Sequence, residues 1–195
     1  MLSLSKHEDT CKDIMPAAVD SVFEVAFWFN DRALNDNEYL QPTKLQYLLF
    51  LAQAYYAVAY EGKRLVPAIF VADEVGPIEP SIYAAYVRGR PQLTIECRFD
   101  DDVASFVDSI WRRFGHHSTE YLAKLCRRNP AYRAALKRGR RAEIPLPDIR
   151  KSFIAAVQAA EAPALTQVVK PKVMRTATGK AVAVNAWKPK SVKGK

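Results

Sequence analysis

The stretch Pro42-Thr43-Lys44-Leu45-Gln46-Tyr47-Leu48-Leu49-Phe50-Leu51-Ala52-Gln53, running on through Ala54-Tyr55-Tyr56-Ala57-Val58-Ala59-Tyr60, decides the fold of this chain. Leu45, Leu48, Leu49, Ala52, Tyr56 and Ala59 form one helical stripe. Phe50, Leu51, Ala54 and Val58 make the opposite side apolar as well. A helix apolar nearly all round is packed on several sides, so this one predicts the centre of a mainly α domain. Glu61-Gly62-Lys63 supplies its end, with Gly at the usual C-terminal place.

Working outward, Ala17 to Leu34 carries apolar residues at Val19, Val22, Phe23, Ala26, Phe29 and Ala33. That spacing predicts a second long helix, with Pro16 as its first residue and Asn35-Asp36-Asn37 as its closing turn. After the central helix, Pro67, Gly76, Pro77 and Pro80 break any helix, and Ile69-Phe70-Val71 reads as a short strand. Pro80 opens a short helix with Ile82, Tyr83 and Tyr86. Leu93 to Phe99 alternates weakly and leaves room for one short β-hairpin. Asp100-Asp101-Asp102 places negative charge at the start of a helix over Val103 to Phe114, ended by Gly115. Ser118, Asn129-Pro130 and Pro145-Leu146-Pro147 start the remaining helices.

Composition shifts near Ala162. Residues 1–15 read as a polar leader, 16–161 as one helical domain, and 162–195 as a flexible, solvated basic tail. The net charge of +8 resides entirely in that tail, which has eight basic residues and no acidic one. The body is balanced, but unevenly. Residues 1–111 hold 9 basic and 17 acidic residues, residues 112–161 hold 12 and 4, and such halves commonly neutralise one another within a fold. Three scattered Cys argue against a disulfide framework, and the charged N-terminus does not read as a signal peptide, so the cytoplasm is the expected compartment.

The chemistry-bearing patterns are few. There is no Gly-rich phosphate cradle, no nucleophile elbow and no metal-ligand spacing. His116-His117 are adjacent and do not converge. Glu74 and Glu79 flank Gly76-Pro77 without a partner base. The expectation is a binding protein, with no catalytic residue, cofactor or metal. The stretch Arg127, Arg128, Arg133, Lys137, Arg138, Arg140, Arg141, together with the basic tail, offers nucleic acid as the alternative partner.

Three segments then carry a resemblance. The helix Pro42–Gln53 resembles the T-x-x-K-L-Q-K-L-L-Y-x-A-Q helix of the Panacea antitoxin domain. Val75-Gly76-Pro77-Ile78-Glu79-Pro80-Ser81-Ile82-Tyr83 is similar to that family's Y-G-P-V-x-P-x-V-Y stretch. Leu122 to Pro130 and Ile144 to Phe153 resemble its closing helices. The resemblance implies a compact helical antitoxin domain that binds a cognate protein toxin and acts as a proteolytic adaptor, delivering the toxin to the ClpX unfoldase of the ClpXP protease. Of the matched residues, Leu45 reads as core. Thr43 belongs to the same mostly structural motif, while Lys44 and Gln46 are expected to pair with internal acids or carbonyls, and Gly76, Pro77 and Pro80 to set a turn. Tyr83 and Tyr86 are amphipathic and are the expected toxin contacts. In the tail, Pro163-Ala164-Leu165-Thr166-Gln167-Val168-Val169-Lys170 resembles the ClpX-docking tail of a known protease adaptor, which makes Leu165, Val168, Val169 and Lys170 the expected protease-docking residues.

Overall fold

The computed structural model describes residues 16–91, 95, 97–159, 162–168, 173–175 and 181–183. The central helix, α2 (Pro42–Ala59), is buried without a break from Leu45 to Ala57. Helices α1 (Val22–Asn35), α3 (Pro80–Tyr86), α4 (Asp101–Ile110), α5 (Thr119–Arg128) and α7 (Leu146–Gln158) all pack against it. Each Leu or Phe fully buried on such a helix contributes about 2 kcal/mol of transfer free energy. Phe50 ties α2 edge-on to Phe70 and Phe153, with ring centroids 5.5 and 5.9 Å away, and Tyr55 meets Phe153 at 5.4 Å. Helix α6 (Pro130–Arg138) closes over the sheet, capped by Asn129, whose side chain accepts from the amides of Ala131 and Tyr132.

A small antiparallel sheet covers one side. Strand β1 (Phe70–Asp73) is central, with β2 (Gly76–Ile78) on one edge and β3 (Ala142–Ile144) on the other. The β1–β2 register, Val71 opposite Ile78 and Asp73 opposite Gly76, leaves Glu74-Val75 as a two-residue turn. Pro77 has no N–H to give a ladder, and it sits in an edge strand, where that omission is tolerated.

Several expectations need correction. Helix α1 starts at Val22, five residues after Ala17, because Ser21 and Glu24 form a capping box there. The Ser21 side chain takes the Phe23 amide at 3.2 Å and Glu24 reaches back to the Ser21 amide at 3.0 Å. The preceding amides of Ala18 and Val19 go instead to the carbonyls of Arg64 and Leu65. The hairpin partner of β1 is Gly76–Ile78, directly after it, and not Leu93 to Phe99. Of that stretch, Ile95 and residues 97–99 form no strand, and the others lie outside the described residues. Strand β3 is unforeseen. The helix after Asp100 turns from α to a π-helical turn over Trp111–Gly115. There the Trp111 ring lies flat on Gly115, whose added Cβ would come 2.5 Å from it, while the indole N–H donates to Asp36 at 2.7 Å.

The body also extends past Glu161. Leu165–Val168 forms a short helical turn, α8, packed on α2. Ala162 is buried, Val168 is 1% exposed and belongs to the core, and the Tyr55 hydroxyl donates to the Pro163 carbonyl at 2.9 Å. The start of the tail at 162 is therefore corrected, since apolar burial against α2 orders residues 162–168; most of the tail beyond them lies outside the described residues. Farther on, β4 (Val173–Arg175) and β5 (Ala181–Ala183) pair as an antiparallel hairpin. The leader, residues 1–15, lies outside the described residues. Among the described residues, no helix is long and apolar enough to cross a membrane.

Candidate functional site

The first turns of α2 carry Thr43, Gln46 and Tyr47 at i, i+3 and i+4, so all three share the face turned to the β1–β2 hairpin. Gln46 is 4% exposed, and its Oε1 accepts from the Glu79 amide at 2.7 Å. Glu79 in turn caps α3, its carboxylate accepting from the Ile82 amide at 2.6 Å, and so the flanking carboxylate serves a helix end. The Tyr47 hydroxyl donates to the Val75 carbonyl. Arg127 of α5 donates to that same oxygen through Nε at 3.0 Å and Nη2 at 2.8 Å. The two sequence motifs, far apart in the chain, thus form one interlocked unit. Gly76 is part of the lock: its φ is +135°, and an added Cβ would sit 2.6 Å from the Tyr47 ring. Lys44 pairs with Glu38 at 3.8 Å, and Leu45 is fully buried.

Above this lock the surface is concave. A cavity of about 290 Å³ is lined by Pro42, Val75, Ile78, Tyr83 and Val87, with Tyr86 among its walls. Tyr83 is 44% exposed at its rim. Tyr86 is 4% exposed, and its hydroxyl accepts from Asn30 at 2.9 Å. Burial pushes that phenol up to about 12, against the opposing influence of Arg90 and the Asn30 hydrogen bond. Tyr86 is therefore wall and not a protruding contact, which corrects its assignment beside Tyr83. A second, smaller hollow shares Pro42 and Tyr86 with the first and is bordered by Leu34 and Tyr39. Leu34, Tyr39, Val75, Tyr83 and Val87, five of the seven exposed large hydrophobic side chains among the described residues, thus lie on two joined hollows.

On the other side of Tyr47 runs a wider groove of about 660 Å³ along α5, carrying Lys124, Arg127, Arg128 and Arg133 together with Glu120. The basic stretch foreseen as one unit is split by the fold. Arg140 and Arg141 each approach Asp73 Oδ2 at 3.4 Å, and Arg138 donates to the Glu143 carbonyl at 2.6 Å. Burial alone would raise the Asp73 carboxyl. The hydrogen bonds and charge of Arg141 and Arg140, with the Val75 amide, outweigh it and hold the group below the usual carboxylate range.

His116 turns to Glu38 at 2.7 Å while His117 stacks on Tyr121, so the two rings diverge. Among the described residues no group of His, Cys, Asp or Glu gathers in a way that would hold a metal. Burial raises the Cys126 thiol far above its ordinary value, and burial also raises that of Cys97. Leu165 and Val168 face α2 and the core, which is incompatible with a free, extended docking peptide, and Val169 and Lys170 lie outside the described residues. Sequence reasoning missed Leu34, Tyr39, Val75 and Val87. Their only signal is being apolar next to turn residues, which carries no period. Comparison with protein-family models, curated proteins and solved structures finds no match to this chain.

Proposed function

We propose that this chain is an antitoxin that binds its cognate protein toxin through the joined apolar hollows at α1, α3 and the β1–β2 turn. The observation that carries the reading is the gathering of Leu34, Tyr39, Val75, Tyr83 and Val87 on one concave face. Exposed apolar side chains clustered in this way mark an interaction surface, whereas scattered ones do not. The antitoxin assignment adds the resemblance to the Panacea domain, in which the chain is most like SocA, whose toxin is SocB. The two motifs behind that resemblance build the floor of the same face through Gln46, Tyr47 and Gly76. Delivery of the toxin to ClpXP rests on the resemblance alone. Leu165 and Val168 do not supply the protease contact while they are packed on α2.

The test is co-expression with the small protein encoded beside it. The wild-type chain should restore growth and co-purify with that protein. Tyr83→Asp combined with Val87→Asp puts two charges at half-exposed positions, so the fold should survive with an unchanged melting temperature while rescue and co-purification are lost. Undiminished rescue by this folded variant would place the toxin elsewhere.

A further inference from the structure

We propose that the apolar hollow at Tyr83 and the basic groove along α5 form one bipartite dock for an acidic segment of the partner protein. An apolar side chain of that segment fills the hollow, and its carboxylates lie over Lys124, Arg128 and Arg133. The proposal rests on the docking reading above and adds the chemistry of what is recognised.

Three observations carry it. The hollow and the groove share Tyr47 as a common wall, so a single segment passing over it reaches both. Lys124, Arg127, Arg128 and Arg133 are exposed, and among the described residues none of them makes an ion pair with a carboxylate. The contrast with Arg140 and Arg141, which converge on Asp73, shows that the fold neutralises some of its basic half internally and leaves this groove with four cations against one exposed carboxylate, Glu120, a net positive surface. Finally, Arg127 is fixed at the seam by a neutral acceptor, the Val75 carbonyl, so its charge is positioned without being cancelled. A surface with an apolar pocket and a fixed cluster of cations complements an anchor residue flanked by Asp or Glu. Nucleic acid fits less well. Sequence-tolerant strand binding needs aromatic faces along the basic track, and Tyr47, the aromatic of this groove, is only 2% exposed.

The test is selection of random linear peptides displayed on phage against the full chain at physiological salt. Enriched peptides should combine Leu, Ile, Met or Phe with Asp or Glu a few residues away. Binding of a representative synthetic peptide should weaken about tenfold or more in Val87→Asp, and by a similar factor in the triple variant Lys124→Gln, Arg128→Gln, Arg133→Gln. Changing the peptide's carboxylates to amides should remove its sensitivity to the triple variant while preserving its sensitivity to Val87→Asp. All variants should keep the wild-type melting temperature. Enriched peptides that lack acids but still require Val87 would overturn the acidic segment and leave the docking reading standing. Peptides indifferent to both sets of variants, or no enrichment at all, would overturn both. An oligonucleotide of equal charge binding the same cations more tightly than the peptide would overturn the proposal in favour of nucleic acid.

Discussion

At the residue scale, the Val75 carbonyl and the Asp73 side chain hold the β1–β2 hairpin to the helices. Val75 is held by Tyr47 and Arg127, and Asp73 by Arg140 and Arg141, while the Tyr132 hydroxyl takes the Asp73 carbonyl at 2.6 Å. The Asp73 carboxyl has a lower proton affinity in the folded state than in the unfolded chain. It therefore contributes stability that is fully present above the ordinary carboxylate range, near pH 3.9, and lost as pH falls through its lowered folded value. Its arginine partners are more than half exposed, so solvent screens the pairs, and Asp73→Asn should cost only about 1 kcal/mol at neutral pH. In urea melts taken stepwise into acid, the difference between variant and wild type should shrink below that range. A constant difference across the series would show that the charge of Asp73 is not what the arginines stabilise. Lys44 and Gln46 are expected from the sequence to pair with internal acids or carbonyls; Lys44 meets the half-buried Glu38, but Gln46 accepts from the Glu79 amide instead. Glu38 and the Glu79 amide lie six and thirty-three residues away, and nothing local marks them.

At the element scale, what was legible follows from periodicity and caps. Helix α2 reads directly because its apolar residues surround it, and α5, α6 and α7 begin where Ser118, Asn129 and the Pro145–Pro147 run place them. Strand β3 was not legible: three residues, one of them exposed Glu143, carry too short an alternation, and their pairing with β1 is long-range. The first residues of the tail, 162–168, misled for a different reason. The tail's composition is that of a solvated segment, yet the turn Leu165–Val168 finds an apolar seat on α2. Val168→Asp buries a charge at a position 1% exposed and should lower stability by about 3 kcal/mol, read by thermal or urea unfolding. A solvated tail would leave the melting temperature unchanged, and that result would contradict the docking of α8.

At the scale of the whole molecule, the acidic front half and basic back half meet at the hairpin, where they neutralise one another only in part. Asp73 absorbs Arg140 and Arg141, while the α5 groove keeps its cations and lies beside the exposed apolar face. Helix α2 serves both roles, its middle forming the core and its first turns, at Thr43, Gln46 and Tyr47, lining the hollow proposed as the dock. Of that lining, Thr43 and Gln46 read in the sequence as mostly structural motif residues, while Tyr47 is not singled out. The rim could not be read from the sequence, because the hollow at Leu34 and Tyr39 and the hollow at Val87 join, through Pro42 and Tyr86, only when α1 and α3 pack together. The most direct measurement is photo-crosslinking in the assembled complex, with benzoylphenylalanine placed at position 87 inside the dock or at position 69, which is also exposed but lies outside it. The account predicts a crosslink to the toxin from position 87 and none from position 69. Crosslinking from position 69 with none from position 87, in a complex that still forms, would contradict it.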